Sequence, residues 1–259
     1  MALPSPIIEV SPITSEPEAS VPGYAITRRM FCWLPLAMTA SSAVAKGNPL
    51  QEPKKVDSPA TQPDVLTWAE FLQQAEGFGG VKLAGDQVDP YVYRLASLAA
   101  QVQGVPAARV FPFATLQPPV YFGPSHKGAG LIIIEWKLAP GAVLPPHNHP
   151  NYSICTLGLE GEARMSNYEV VGTAPEFSSS KSFQVRKTNT QWMRPGVVNT
   201  LSPHRDNIHT FQAGKDGARG IDIGTLHGTD RGFSFLKLTE KPTDPARDIF
   251  EAQWIGTKP

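Results

Sequence analysis

The chain has 259 residues, of which 41% are hydrophobic, so it is long enough to bury a substantial core. Lysine plus arginine and aspartate plus glutamate number 23 each, and this balance argues against a nucleic-acid partner, which requires a basic surface. Only two cysteines, Cys32 and Cys155, are present, which excludes a disulfide framework.

Residues 1–45 are predicted to be an export signal. Arg28 and Arg29 precede a moderately apolar run that ends at Ala43-Val44-Ala45, a small-residue pattern typical of a cleavage site. The arginine pair and its neighbours also resemble the bacterial twin-arginine signal. We therefore expect a periplasmic or secreted protein with no membrane segment after cleavage. A disordered tail with a chance arginine pair is the alternative.

Residues 46–65 are polar and rich in proline, which predicts a linker. A helix is expected after it, because Thr67 and Glu70 have the spacing of a capping box and Gly77 suits a helix end.

A second helix is predicted to begin at Asp89, which can cap it, and to end at Gly104. Tyr91, Leu95 and Leu98 lie near one face of this helix. We expect the whole helical segment, residues 66–107, to pack on the outside of the domain that follows.

From about residue 108 the pattern changes to short strands, and the 26 prolines and 22 glycines of the chain supply many turn residues. Turns are predicted at Glu160-Gly161, at Pro195-Gly196 and between Gly214 and Gly217. This pattern predicts an all-β core, an antiparallel barrel or sandwich, over residues 108–240, with a C-terminal tail over residues 241–259.

Three histidines form the candidate metal site. His147 and His149 alternate along a predicted strand, so their side chains project from the same face and can hold one metal ion. His209 follows about sixty residues later at the start of another strand, and the nearby His204 is an alternative third ligand. The sequence Asn207-Ile208-His209 favours His209.

The histidine segments resemble the two motifs of the cupin superfamily, whose fold is a double-stranded β-helix (jelly-roll-like) barrel. Many cupins carry a glutamate three or four residues after the second histidine, where this chain has Ser153 and Ile154. A ligand set without this glutamate resembles that of the three-histidine thiol dioxygenases. Residues 138–171 and 201–225 are similar to the branch that contains cysteamine dioxygenase and the plant cysteine oxidases, and the match covers roughly residues 110–238.

The resemblance implies His147, His149 and His209 as ligands of Fe(II). It implies a small aminothiol or an N-terminal cysteine, together with O2, as substrates, and a sulfinate as product. Three neutral imidazoles leave the iron its full double positive charge, which favours an anionic thiolate. The resemblance also implies a role for Asp222, which either orients a ligand imidazole or meets a substrate ammonium; a plain hairpin aspartate is the alternative.

The sequence indicates the roles of three further features less directly. The plant members of the family continue into a Gly-Pro-Pro-Tyr segment, where this chain has Gly224-Thr225-Leu226-His227, so His227 either fills the place of the tyrosine or lies on a loop. Cys155 is predicted to be a buried strand residue that forms no cross-link. No arginine is placed for a substrate carboxylate, which favours an amine-bearing or neutral thiol.

Two other functions remain open at this point. The same three histidines could serve a cupin lyase or isomerase that uses zinc, nickel or manganese. A non-catalytic cupin that binds a small ligand is the other alternative. We expect a monomer in every case.

Overall fold

The computed structural model describes residues 65–78, 83, 85–128, 130–228 and 232–257. All of them belong to the compact unit Ser58–Pro259. The predicted export signal and residues 46–64 of the predicted linker lie outside the described residues.

The first helix, α1 (Trp68–Glu76), begins and ends where the sequence predicts. The Thr67 hydroxyl accepts the Glu70 N–H at 3.3 Å, and the Glu70 carboxylate accepts the Thr67 N–H at 2.9 Å. These two hydrogen bonds form the predicted capping box, and Gly77 stands at the C-terminal cap.

The second helix, α2 (Val88–Ala99), is present with different ends. A short 3-10 helix over Gly85–Gln87 leads into it, and Gln87 holds the N-cap position without a side-chain capping bond. The prediction that Asp89 caps the helix is therefore wrong. Asp89 lies in the first turn, with Oδ1 3.8 Å from Nε of Arg205.

Two short strands flank the helices and ten more build the remainder of the described chain. In chain order they are β1 (Leu66–Thr67), β2 (Val102–Gln103), β3 (Phe111–Pro112), β4 (Val120–Gly128), β5 (Leu131–Leu138), β6 (Val143–Asn148), β7 (Tyr152–Val171), β8 (Phe183–Met193), β9 (Val198–Leu201), β10 (Ile208–Leu226), β11 (Ser234–Leu238) and β12 (Ile249–Thr257). β1 and β2 pair in parallel, and the other pairings are antiparallel.

Six strands close a ring in the order β10, β6, β11, β12, β8, β7 and back to β10. The two longest strands, β7 and β10, pair with each other along nearly their whole length. β10 also pairs with β5, which continues to β4 and β3. β7 also pairs with β9. This arrangement is a double-stranded β-helix barrel, so the predicted all-β cupin fold class is confirmed.

Two predicted turns are instead bends inside continuous strands. β7 passes through Gly161 at a φ of +61°, and β10 passes through Gly217 at +79°. A Cβ on Gly161 would lie 2.2 Å from the carbonyl oxygen of Gly217, so the two bends touch backbone to backbone. Glycine allows this conformation and this contact without ending either strand.

The C-terminal segment is a part of the barrel, whereas the sequence predicts a tail over residues 241–259. β12 pairs with both β11 and β8 and so completes the ring. Phe250, Ala252 and Trp254 of this strand are buried in a core with Tyr168 and Leu236. Their spacing at alternate positions places the three side chains on one face of the strand.

The helices pack on the outer face of the central strands. Val92 and Leu95 of α2 are fully buried against Ile133 and Ile223 of the sheet. Cys155 lies in the same interface at 0% exposure, which confirms the predicted buried strand residue. Burial raises the pKa of its thiol far above the ordinary value, so the thiol stays protonated.

Candidate metal centre

The barrel positions the three histidines through two neighbouring strands. His147 on β6 is paired directly with His209 on β10. His149 follows one residue beyond the end of β6, with its side chain on the same face as that of His147. Residues about sixty positions apart in the chain thus meet through the antiparallel register.

The three rings converge on one point through their Nε2 atoms. Nε2 of His209 lies 2.9 Å from Nε2 of His147 and 3.0 Å from Nε2 of His149. The three ligand atoms all lie within 4.8 Å of one another. In the part of the chain that the structure describes, His204 does not belong to this group.

The protonation state of the rings fits a metal site. Nδ1 of His147 donates to the carbonyl oxygen of Pro145 at 2.8 Å, so the neutral ring has its lone pair on Nε2. Burial lowers the pKa of His147 to about 4, and burial together with the neighbouring imidazoles holds the pKa values of His149 and His209 well below the ordinary value. All three rings are neutral at pH 7, which is the ligating form.

A cation at the centre of the group satisfies these atoms better than hydrogen bonds do. A neutral imidazole has one N–H, and that of His147 is already directed to Pro145. Three Nε2 atoms at these distances direct their lone pairs to one point, where a divalent ion accepts all of them. The side chains present here therefore fit a bound metal ion.

Asn207 fixes the backbone of His149, whereas its position in the sequence indicates only that His209 is the third ligand. The Asn207 side chain donates to the His149 carbonyl oxygen at 2.8 Å and accepts the His149 N–H at 3.3 Å. Its backbone carbonyl accepts the same N–H at 3.1 Å. His149 lies outside the regular strand, so these bonds replace the missing strand pairing.

A cavity of about 420 Å³ opens beside His147 and His149. Side chains from six strands and from the segments next to them form its wall. The described lining residues are Phe113, Phe122, Ile132, Ile134, Leu144, His147, His149, Tyr152, Ile154, Asp222, Gly224, Phe233 and Phe235. This wall is mostly apolar and aromatic, which is typical of small-molecule sites.

Asp222 lies in the wall of this cavity. One carboxylate oxygen, Oδ1, accepts the hydroxyl of Thr156 at 2.7 Å and the indole N–H of Trp136 at 3.3 Å. Burial raises its pKa to about 6, although the two hydrogen bonds oppose the shift. Asp222 thus shares the cavity with the histidines, and these two bonds connect it to Thr156 and Trp136.

The positions where many cupins carry a glutamate have two different fates. Ile154 lines the cavity, whereas Ser153 points to the opposite face and lies 2.7 Å from Nε2 of His227. His227 also faces the ring of Tyr91 on α2, with ring centroids 6.2 Å apart. The described lining of the cavity therefore contains Ile154 and not His227.

Tyr152 is a cavity residue that sequence analysis missed. Its ring meets the His149 ring edge to face, with centroids 6.2 Å apart. Phe233 and Phe235 lie beside the His147 ring, with centroids 5.9 Å and 5.7 Å from it. Their alternation along the last part of the predicted domain is the sequence signal that could have indicated them.

No family model and no curated protein matches the chain. Solved structures with a similar fold include KdgF from a Halomonas species, with 15% identity over 46% of this chain and 88% of that one and a TM-score of 0.33. The cupin domain of Cnp3 from Schizosaccharomyces pombe has 16% identity over 48% and 67% of the two chains and a TM-score of 0.32.

Recombinant oxalate oxidase in complex with glycolate has 21% identity over 41% of this chain, a TM-score of 0.30, and 46% of its own length covered. This chain thus spans about half of the oxalate oxidase chain. At these TM-scores none of the similarities supports a function, and the barrel is assigned from its own strand pairing.

Within the described residues, no helix has both the length and the apolar character needed to cross a membrane.

Proposed function

We propose that the chain is an exported non-haem Fe(II) thiol dioxygenase that converts a thiol to a sulfinate with O2. The substrate is a small aminothiol or an N-terminal cysteine, and the protein acts as a periplasmic or secreted monomer. The observation that carries the proposal is the group of three neutral, convergent imidazoles with an apolar residue, Ile154, where a carboxylate ligand is common.

The charge of the ligand set supports this chemistry. His147, His149 and His209 bring no negative charge, so a bound Fe(II) keeps both positive charges and supplies positions for a thiolate and for O2. A fourth ligand with a carboxylate would weaken the attraction for an anionic thiolate. Both oxygen atoms of O2 end on sulfur, which loses four electrons to them, so the reaction needs no external reductant.

The protein side chains hold the substrate and exclude water. Phe233, Phe235 and Ile154 form an apolar wall next to the histidines, which lowers the local dielectric constant and strengthens charge interactions. Asp222 in the same wall offers a carboxylate for a substrate ammonium above its pKa of about 6. Its hydrogen bonds to Thr156 and Trp136 keep that carboxylate in place.

Oxygen uptake by the full chain, loaded with Fe(II) without air, tests the proposal. The thiols are cysteamine, cysteine, 3-mercaptopropionate and a peptide with an N-terminal cysteine, and products are identified by mass. We expect one of them to gain two oxygen atoms, and this activity to be lost in His209→Ala. A His227→Gln variant is the matched control, because His227 lies outside the described cavity wall.

Three imidazoles also suit zinc, nickel or manganese, so a lyase or isomerase is the second candidate. Bound iron with no oxygen uptake for any thiol would overturn the dioxygenase proposal. A clear preference for another metal in the purified protein would then favour the lyase or isomerase. A bound metal with no coordination position open to exchange would favour a non-catalytic binding protein.

A further inference from the structure

The cavity beside the histidines is large and apolar for a small aminothiol. Its volume of about 420 Å³ falls in the range of pockets that bury drug-sized ligands. Eight apolar side chains line it: Phe113, Phe122, Ile132, Ile134, Leu144, Ile154, Phe233 and Phe235. Cysteamine has four heavy atoms and would contact only a part of this wall.

The charges of the wall select against an anionic substrate. Among the described lining residues Asp222 is the single acid, and none is lysine or arginine. A substrate carboxylate on the body, away from the histidines, would be buried in this apolar wall with Asp222 and without a lysine or arginine to pair with, which is unfavourable. An ammonium group can pair with the Asp222 carboxylate, and an uncharged group has no charge to bury.

The central strand β5 shows that the wall is available to a ligand. Leu131 and Ile133, which face the helices, are exposed by 1% or less. Ile132 and Ile134 alternate with them, line the cavity and stay only partly buried. Covering these two side chains removes apolar surface from water, which strengthens binding about fourfold for each methylene group buried.

Resting on the proposed function, we infer that the substrate is a thiol with a bulky apolar body and no carboxylate. The thiol end lies at the histidines, and the body, at least as large as a phenylalanine or leucine side chain, lies against Ile132, Ile134 and the aromatic residues. A dipeptide amide of the type Cys-X-NH2, with X aromatic or branched aliphatic, has this chemistry.

Serine analogues separate binding from turnover, because a hydroxyl replaces the reactive thiol. Titration calorimetry with the full chain, loaded with Fe(II) without air and again without metal, compares Ser-Phe-NH2 with Ser-Gly-NH2. We expect Ser-Phe-NH2 to bind about 10- to 100-fold tighter, the range for burial of one large apolar side chain. The free acid Ser-Phe should bind more weakly than its amide.

Two alanine variants on β5 test where the preference arises. Ile134→Ala removes a part of the cavity wall, so the ratio between the two amides should fall severalfold. Ile133→Ala makes the same change one residue away on the helix side, so it should lower the melting temperature and leave the ratio unchanged. Ile134→Arg should reverse the order of the free acid and the amide.

The outcomes of this proposal and of the proposed function are distinct. If the serine analogues show the expected ratio but none of the matching cysteine amides consumes oxygen, the dioxygenase fails and the binding preference stands. If cysteamine is oxidised but Ser-Gly-NH2 binds as tightly as Ser-Phe-NH2, the apolar substrate is wrong and the dioxygenase stands. Equal binding of free acid and amide would overturn the charge selection.

Discussion

The central strands of the sheet use their two faces for different purposes. On β5, Leu131 and Ile133 pack under the helices, whereas Ile132 and Ile134 line the cavity beside the histidines. Three successive isoleucines thus differ in burial only because side chains alternate along a strand. The outer face packs in the core, and the inner face lines the candidate site.

The largest expected effect is on the inner face. His209→Gln removes one of the three candidate ligands, so metal affinity should fall by more than the roughly 10- to 100-fold that follows the loss of an outer hydrogen-bond partner. Competition with a fluorescent chelator measures the affinity. His227→Gln, on the outer side, should leave it unchanged. Equal affinities in the two variants would contradict the assignment of the metal centre.

The stability of the fold should depend more on the outer face than on the inner face. Ile133→Ala opens a cavity under the helices and should lower the free energy of unfolding by about 2–5 kcal/mol. Ile134→Ala changes a partly exposed wall and should lower it by about 1 kcal/mol or less. Urea denaturation of the metal-free protein measures both. A larger loss for Ile134→Ala would show that the inner face carries the packing.

The pH dependence of stability tests the burial of Asp222. Its pKa is raised from 3.8 to about 6, so between these pH values the folded state holds a proton that the unfolded state has released. This contribution is fully present below about pH 4 and is lost as pH rises to about 6, by at most about 3 kcal/mol.

Asp222→Asn removes that contribution. The histidines titrate in the same range with the opposite sign, because their folded pKa values are lowered. The quantity to measure is therefore the difference in unfolding free energy between wild type and Asp222→Asn from pH 4 to pH 7. We expect this difference to fall as the pH rises. A constant difference would mean that the carboxylate is solvated.

The smallest expected effect on metal binding concerns His149, the candidate ligand outside the regular strand. Asn207→Ala removes two hydrogen bonds to the His149 backbone and should lower metal affinity by about tenfold. The visible spectrum of the Co(II)-loaded protein should change with it, since one ligand moves. Asn199→Ala is the matched control: it breaks a buried amide pair with Asn167 and should lower stability without changing the spectrum.

Local patterns in the sequence are sufficient for several features. The capping box of Thr67 and Glu70 defines the start of α1, because its hydrogen bonds connect residues three positions apart. The alternation of His147 and His149 places both rings on one face of a strand for the same local reason. The prediction that Asp89 caps α2 fails because the 3-10 helix over Gly85–Gln87 leads directly into α2, so the helix begins at Val88 and Asp89 lies inside its first turn.

Long-range contacts decide the rest. A glycine with positive φ suits a hairpin turn and a bend in a long strand equally well, and at Gly161 the contact with the backbone of Gly217 selects the bend. The hydrogen bonds from Asn207 to the His149 backbone, and the position of Asp222 in the cavity wall, also depend on which strands become neighbours. The sequence by itself determined the strand-rich pattern and the candidate histidines. Only the tertiary structure decided that they meet, because strand register brings together residues about sixty positions apart.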